Sequence, residues 1–153
     1  MDRLDHAIVH QLVRDGRIAN TELAQRVGLS PSPCLRRVRA LEEAGVITGY
    51  HAAVDLTAMG RGLQVLVHVD MADQRQATVE AFEAAVQEVE AIVSCRRMFG
   101  NPDYLLTVAV GGLESYERLY MGTLTALPGV ATTKSQFIMK VVKQAPGSGV
   151  LTT

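Results

Sequence analysis

A run of arginines free of acidic neighbours is the feature of this chain that could do chemistry. Residues 23 to 41 contain four arginines and neither aspartate nor glutamate. The four are Arg26, Arg36, Arg37 and Arg39. A guanidinium group binds phosphate oxygens and can hold guanine O6 and N7 through two hydrogen bonds at once. The run therefore favours contact with nucleic acid over the alternative of a plain solvated surface.

The segment that carries these arginines has the pattern of a helix-turn-helix. Gly28 stands where a first helix needs a left-handed last residue, which glycine adopts without steric cost. Ser30 and Ser32 are candidate N-caps of a second helix, and Pro31 and Pro33 suit its first turn. The sequence therefore predicts a tight turn followed by a second helix.

That second helix is expected to be amphipathic. At 100° per residue, Cys34, Val38 and Leu41 share one stripe, whereas Arg36 and Arg39 lie on the opposite side. Burial of the apolar stripe would turn these two arginines outward near the start of the helix. This arrangement is typical of a helix that enters the major groove of DNA.

Composition and charge are consistent with a packed protein that gathers DNA contacts by dimerising. The chain has 153 residues, of which 48% are hydrophobic, and no apolar run of about 18 residues or signal peptide is present. Residues 1–50 hold seven Lys/Arg and six Asp/Glu, a net of +1, whereas 51–153 hold eight and ten, a net of −2. Cys34 and Cys95 lie in unrelated segments and predict buried thiols in a reducing cytoplasm. Because the positive charge is local, one copy alone would reach few phosphates.

The first half of the chain predicts three helices and a linking segment. The first helix spans Leu4 to Asp15, and Asn20 or Thr21 caps the second. Residues 46–56 are rich in β-branched side chains and predict a wing-like hairpin or a linking strand. The run 59–62, with two glycines, is the predicted domain boundary.

After that boundary the pattern changes to strand, helix, strand, strand, helix, strand. The predicted elements are a strand at 62–71, a helix at 78–89, strands at 92–99 and 104–110, a helix at 114–127 and a strand at 130–142. This is the order of a ferredoxin-like βαββαβ unit, an antiparallel sheet with both helices on one face. The strands at 104–110 and 130–142 carry apolar residues on both faces. We therefore expect the uncovered face to pack against a second copy, which makes the protein a dimer.

Two stretches of the chain resemble a known family. They read LDHAIVHQLVRDGRIANTELAQRVGLSPSPCLRRVRALEEAGVITGY and, later, GNPDYLLTV. Over nearly its whole length the chain resembles the leucine-responsive/asparagine-regulator family (Lrp/AsnC, or feast/famine) of prokaryotic transcription regulators. The resemblance implies an α+β protein with an N-terminal (winged) helix-turn-helix domain and a C-terminal ferredoxin-like βαββαβ domain, called RAM after regulation of amino-acid metabolism. It also implies a homodimer that assembles into an octamer, and an amino-acid effector bound between dimers.

The resemblance assigns DNA contacts position by position. They fall on Ser30, Ser32, Pro33, Arg36, Arg37 and Arg39. Among these, Arg36 and Arg39 are expected at base edges. The serines are expected at phosphates near the start of the helix, where free N–H groups also point, and Arg37 at a phosphate along it.

The resemblance also assigns an effector site. Gly100, Asn101, Asp103 and Tyr104 match the family's effector loop, and Thr132, Thr133 and Ser135 are further candidates on the last strand. Backbone N–H groups of the loop could take a carboxylate, and Asp103 could take an ammonium. The alternative is that the Gly-Asn-Pro-Asp segment is simply a hairpin turn with the aspartate as its hydrogen-bonded corner.

These inferences divide the chain into four segments. They are a helix-turn-helix domain at 1–49, a linker strand and hinge at 50–61, a ferredoxin-like effector-binding and oligomerisation domain at 62–143, and a flexible tail at 144–153. In the family the linking strand pairs with its twin, which here would involve residues 50–54.

The sequence thus predicts a cytoplasmic transcription regulator that binds double-stranded DNA at a pseudo-palindromic operator and responds to an amino acid, with no cofactor and no catalytic residues. Two alternatives remain: a stand-alone effector-sensing or assembly module without DNA binding, and a small ferredoxin-like enzyme. His6 and His10 are spaced as a metal pair, but no glutamate of a metalloprotease motif lies between them and no third ligand is obvious. No Walker loop or GxSxG motif is present.

Overall fold

The computed structural model describes residues 1–143, so the predicted tail at 144–153 lies outside the described residues. Within that range the chain forms two compact units, residues 1–53 and 54–143. The division falls inside the segment predicted as a linker, because residues 54–62 belong with the second unit. Arg61 shows why: its guanidinium donates to the carbonyls of Ala109 and Glu90. No helix in the described part of the chain is long and apolar enough to cross a membrane.

The first unit is a bundle of three helices, α1 (Arg3–Arg14), α2 (Asn20–Val27) and α3 (Pro31–Glu43). Their apolar stripes meet in one core, whose buried members are Ile8, Leu23, Ala24, Cys34, Val38 and Leu41. Both expected caps of α2 are wrong. Asn20 is already the first helical residue, and the capping position belongs to Ala19, which has no side chain that could bond there. Instead, the Asn20 amide donates to the Pro31 carbonyl at 2.9 Å and ties the start of α2 to the start of α3.

The segment after α3 contains no strand in the part of the chain that the structure describes. Residues 46–62 form turns and irregular backbone, not the expected wing-like hairpin or linking strand. The β-branched residues predicted a strand, but within one chain they have no neighbouring strand to pair with. Tyr50 is fixed differently, by a 2.8 Å hydrogen bond from its hydroxyl to Glu42. Burial and this acidic partner raise the pKa of Tyr50 to about 12.

The second unit is a four-stranded antiparallel sheet with helices packed on one face. In chain order it contains β1 (Leu63–Met71), α4 (Gln76–Gln87), β2 (Ile92–Arg97), β3 (Tyr104–Val110), α5 (Leu113–Gly122), a short 3₁₀ turn (Leu124–Ala126) and β4 (Val130–Phe137). The strand order is β2-β3-β1-β4, and all neighbours are antiparallel. This is the topology expected of a βαββαβ unit. The core lies between the sheet and its helices, around Val65, Val67, Phe82 and Leu106.

Two predicted elements end earlier than expected. The last strand stops at Phe137 rather than Val142, because β1, which pairs with it, begins at Leu63 and offers only one more contact, from the Gln64 carbonyl to the Ile138 N–H. The helix predicted over 114–127 ends at Gly122, and the 3₁₀ turn follows it.

The face of the sheet away from the helices is more polar than the sequence suggested. Register places Leu66, Leu105 and Ala109 on that face. The other residues on it are Gln64, His68, Asp70, Ser94, Arg96, Thr107, Thr132, Lys134 and Gln136. The residues after Phe137, counted as strand in the sequence analysis, do not contribute to it. The outer face therefore has a small apolar centre at Leu66 and Leu105 within a polar surround.

Candidate functional site

The turn between α2 and α3 is built as its sequence predicts. Gly28 ends α2 in the left-handed conformation, with φ of +73°, and the Leu29 N–H bonds back to the Ala24 carbonyl at 2.9 Å. Ser30 is the residue before α3, although its side chain makes no capping hydrogen bond, and Pro31 is the first helical residue. Ser30 and Ser32 are exposed. The hydroxyls expected at phosphates are therefore open to solvent at the start of α3.

The outward side of α3 presents two arginines. Arg36 and Arg39 are exposed, and within residues 1–143 neither forms an ion pair. The opposite stripe of the same helix is buried, with Cys34 fully inaccessible. A helix anchored on one side with unpaired guanidinium groups on the other can approach a polyanion without first breaking internal ion pairs.

Arg37 lies at the flank of α3 and is held by the start of α1. Its Nη1 donates to Asp2 Oδ2 at 2.8 Å and to Asp5 Oδ1 at 2.7 Å. The two aspartates also cap α1, since each accepts a hydrogen bond from the backbone N–H of the other. These backbone bonds, together with Arg37, lower the pKa of both carboxyl groups, and the carboxylates raise the pKa of Arg37. Arg37 thus joins α1 to α3, and its contact with DNA stays a prediction.

Arg26, the fourth arginine of the run, is also paired within the unit. It bonds Glu22 on its own helix at 2.6 Å and Gln11 of α1 at 3.2 Å. The acid-free run therefore contains two kinds of arginine. Arg26 and Arg37 make contacts within the bundle, whereas Arg36 and Arg39 face outward.

The loop between β2 and β3 brings some of the predicted effector residues together. Asn101 Nδ2 donates to Asp70 Oδ1, and Thr132 Oγ1 donates to Asp70 Oδ2, both at 2.9 Å. Asp70 is the last residue of β1 on the outer face, opposite Thr132 on β4. Gly100, beside Asn101, has φ of +120°, a conformation that favours glycine.

Asp103 is already engaged within the unit. Its Oδ2 accepts from the Met71 N–H and its Oδ1 from Gln74 Nε2, each at 2.7 Å. These bonds fix the start of β3 against the end of β1. The turn interpretation and the effector interpretation are therefore compatible, because the aspartate shapes the loop whether or not it also meets a ligand.

The remaining predicted effector residues lie on the opposite, helix-covered face of the sheet. Tyr104 is buried and stacks on Phe82 with ring centroids 4.5 Å apart, and its hydroxyl donates to Glu83 at 2.7 Å. Burial, with Glu83 beside it, raises the pKa of Tyr104 to about 12. Thr133 bonds the hydroxyl of Tyr120 at 3.0 Å, and Ser135 that of Tyr116 at 2.5 Å. These three thus do not share a face with Asn101 and Thr132.

Sequence reasoning missed two residues at this loop, Asp70 and Gln74. Asp70 follows the strand alternation as an outward residue, and nothing in its neighbours indicated that Asn101 and Thr132 would converge on it. Gln74 lies in the β1–α4 connection and meets Asp103 only because β1 and β3 pair. Among the described residues, no group of three or more His, Cys, Asp and Glu side chains could hold a metal ion.

Comparison with known proteins identifies the family of this arrangement. Residues 64–148 match the model of the Lrp/AsnC ligand binding domain, and residues 1–48 match a winged helix-turn-helix DNA-binding model. The chain belongs to the Lrp/AsnC family. The leucine-responsive regulatory protein of Salmonella typhimurium is 43% identical over 145 residues, which cover 95% of this chain and 88% of that protein.

Solved structures of the Lrp/AsnC family superpose closely on this chain. A transcriptional regulator of Neisseria meningitidis in complex with L-Met gives a TM-score of 0.90 at 34% identity, covering 95% of this chain and 94% of the other. An AsnC family transcriptional regulator of Agrobacterium tumefaciens gives 0.89, with the same identity and coverage. The protein is a DNA-binding transcriptional regulator with an amino-acid ligand-binding domain, and its relatives are regulators, which argues against an enzyme.

Proposed function

We propose that α3 is the helix that reads a specific operator in the major groove. Arg36 and Arg39 contact base edges, and Ser30, Ser32 and Pro33 lie against the phosphates at the start of the helix. The observation that supports this most is the exposure of the two unpaired arginines opposite a fully buried stripe. In this proposal Arg37 is close to the backbone of the DNA while it remains bonded to Asp2 and Asp5.

The proposed operator is a pseudo-palindrome. A homodimer presents two copies of α3, so its half-sites are about one helical turn, roughly 34 Å, or a multiple of this apart. We propose that dimers assemble further into an octamer through the ligand-binding domain at 62–143, with 1–49 as the DNA-binding domain and 50–61 as the hinge. A near-neutral chain gains its affinity by presenting several reading helices at once.

The proposed effector is an amino acid that binds at the loop from Gly100 to Tyr104. The L-Met complex of the Neisseria meningitidis regulator and the name of the leucine-responsive relative support this class of ligand. The loop offers backbone N–H groups for a carboxylate, and the polar side chains of Asp70, Asn101 and Thr132 are beside it. An effector that changes how dimers meet changes the array of reading helices, and DNA must then change effector affinity by the same factor.

The experiment that tests this function is selection from a random library of duplex DNA with the full-length protein. We expect enrichment of one pseudo-palindromic sequence, bound in a salt-dependent way. The enriched duplex is then titrated with protein in the presence and absence of each of the twenty amino acids. Failure to enrich any sequence would contradict operator reading, and unchanged affinity with every amino acid would contradict the effector response.

A further inference from the structure

An open cavity of about 380 Å³ lies beside the first half of α4 and the end of β2, a volume typical of small-molecule sites. Its lining residues are Gln74, Gln76, Val79, Glu80, Glu83 and Arg97. The cavity is within the ligand-binding unit, on the helix-covered side of the sheet, where Arg97 pairs in register with Tyr104. None of its lining residues was singled out by the sequence pattern.

The lining carries opposite charges on its two sides. Arg97, from the end of β2, is exposed and takes part in no hydrogen bond or ion pair with another side chain in the described range. On the α4 side, Glu83 Oε1 accepts from the Tyr104 hydroxyl and Glu80 Oε1 accepts from Gln76 Nε2, both at 2.7 Å. Within residues 1–143 the Oε2 atom of each glutamate accepts no hydrogen bond. One guanidinium and two carboxylate oxygens are therefore available to a ligand.

This combination selects a zwitterion. A simple anion would meet two carboxylates, and a simple cation would leave the guanidinium unpaired, whereas a free amino acid satisfies both walls. We propose that this cavity binds the amino-acid effector, with Arg97 holding the α-carboxylate and Glu83 and Glu80 holding the α-ammonium. The inference rests on the proposed effector response and gives it a specific site.

Two hydrogen bonds connect the cavity to the loop from Gly100 to Tyr104. Gln74 on the cavity wall donates to Asp103, and Glu83 accepts from Tyr104. A ligand that engages Gln74 or Glu83 competes for these bonds and so acts directly on the two residues that begin β3 and its loop. The loop that matches the family's effector segment is in this way the neighbour that responds to the cavity.

The test begins with the full-length wild type and a thermal-shift screen of the twenty amino acids, followed by calorimetric titration of the one that gives the largest shift. We expect Arg97→Gln and Glu83→Gln each to raise its Kd about tenfold or more, because each removes one charged partner. Arg96→Gln is the matched control, since Arg96 is the adjacent residue on the outer face of β2, and its Kd should stay within about twofold. The amine and the acid obtained by removing the carboxylate or the amino group of the bound amino acid should not bind the wild type measurably.

The outcomes separate the cavity from the effector response. If an amino acid binds the wild type and both charge variants equally well, while circular dichroism shows all proteins folded, the cavity assignment is overturned and the effector response stands. If Arg96→Gln weakens binding as much as Arg97→Gln, the cavity assignment is overturned as well. If no amino acid binds the wild type, the effector response itself is overturned.

Discussion

Adjacent arginines on α3 have different surroundings, and this decides what each can do. Arg36 is exposed, whereas Arg37 is bonded to Asp2 and Asp5. Helical periodicity places Arg36 outward and Arg37 at the flank, as the structure has them. It could not predict the ion pairs, because the aspartates lie 35 and 32 positions earlier and meet Arg37 only through the packing of α1 on α3.

We expect Arg37→Ala to lower the thermal midpoint of the first unit, because it removes both bonds between α1 and α3 at this point. Arg36→Ala, one residue away, is the matched control and should leave the midpoint unchanged. In DNA titrations over a range of salt, a residue that acts as a phosphate contact would reduce the salt slope by about one unit when removed. We expect a smaller change for Arg37→Ala, since its charge is already offset by two carboxylates.

The stability gained from Arg37 should depend on pH in a defined direction. The pKa values of Asp2 and Asp5 are lowered from 3.8 in the folded protein, so their contribution is present above that value and is lost as pH falls through the folded values. Thermal melts of wild type and Arg37→Ala should therefore differ at pH 7 and converge below about pH 4. A difference that persisted unchanged at pH 3 would show that the ion pairs are not its source.

At the scale of elements, local chemistry decided which predictions were accurate. The strand at 104–110 is observed as predicted, since its apolar run is bounded by a loop and a glycine pair. The last strand ends at Phe137 because a strand extends only as far as its partner, which a single segment does not reveal. Residues 46–56 failed as a strand for the same reason. Convergence of Asn101 and Thr132 on Asp70 likewise depends on strand pairing.

Gly28 offers a test of the turn that sets α3 against α2. A Cβ at this position meets no atom within 4 Å, so a substitution is penalised only by the left-handed φ of +73°. We expect Gly28→Ala to lower the free energy of unfolding by about 1 kcal/mol. Gly28→Asn is the control and should lose less, because asparagine tolerates this conformation better. Equal losses in chemical denaturation would mean that backbone strain is not the cause.

At the scale of the whole molecule, the two-part organisation and the fold of each part were predicted from periodicity and turn residues. The nature of the outer sheet face was not. The sequence suggested an apolar second face, but register leaves only a small apolar centre at Leu66 and Leu105. Residues counted toward that face lie beyond Phe137 and outside the sheet. Self-association through this face therefore depends on a few residues.

We expect the full-length chain to be larger than its 16.5 kDa monomer in light scattering, as a dimer or a higher assembly. Leu105→Asp should reduce the mass, since it places a charge at the apolar centre of the outer face. Met121→Asp, at an exposed position of α5, is the control and should leave the mass unchanged. A monomeric wild type, or a Leu105→Asp variant of unchanged mass, would contradict association through this face.

The central claim is that α3 reads DNA through its outward arginines, and fluorescence anisotropy on the selected operator tests it most directly. Arg36→Ala should weaken specific binding by about 1–3 kcal/mol and relax the preference at one base position. Arg96→Ala, which removes an exposed arginine from the outer sheet face of the other unit, should bind as the wild type does. Equal operator affinity of wild type and Arg36→Ala, with base preferences unchanged, would contradict the account.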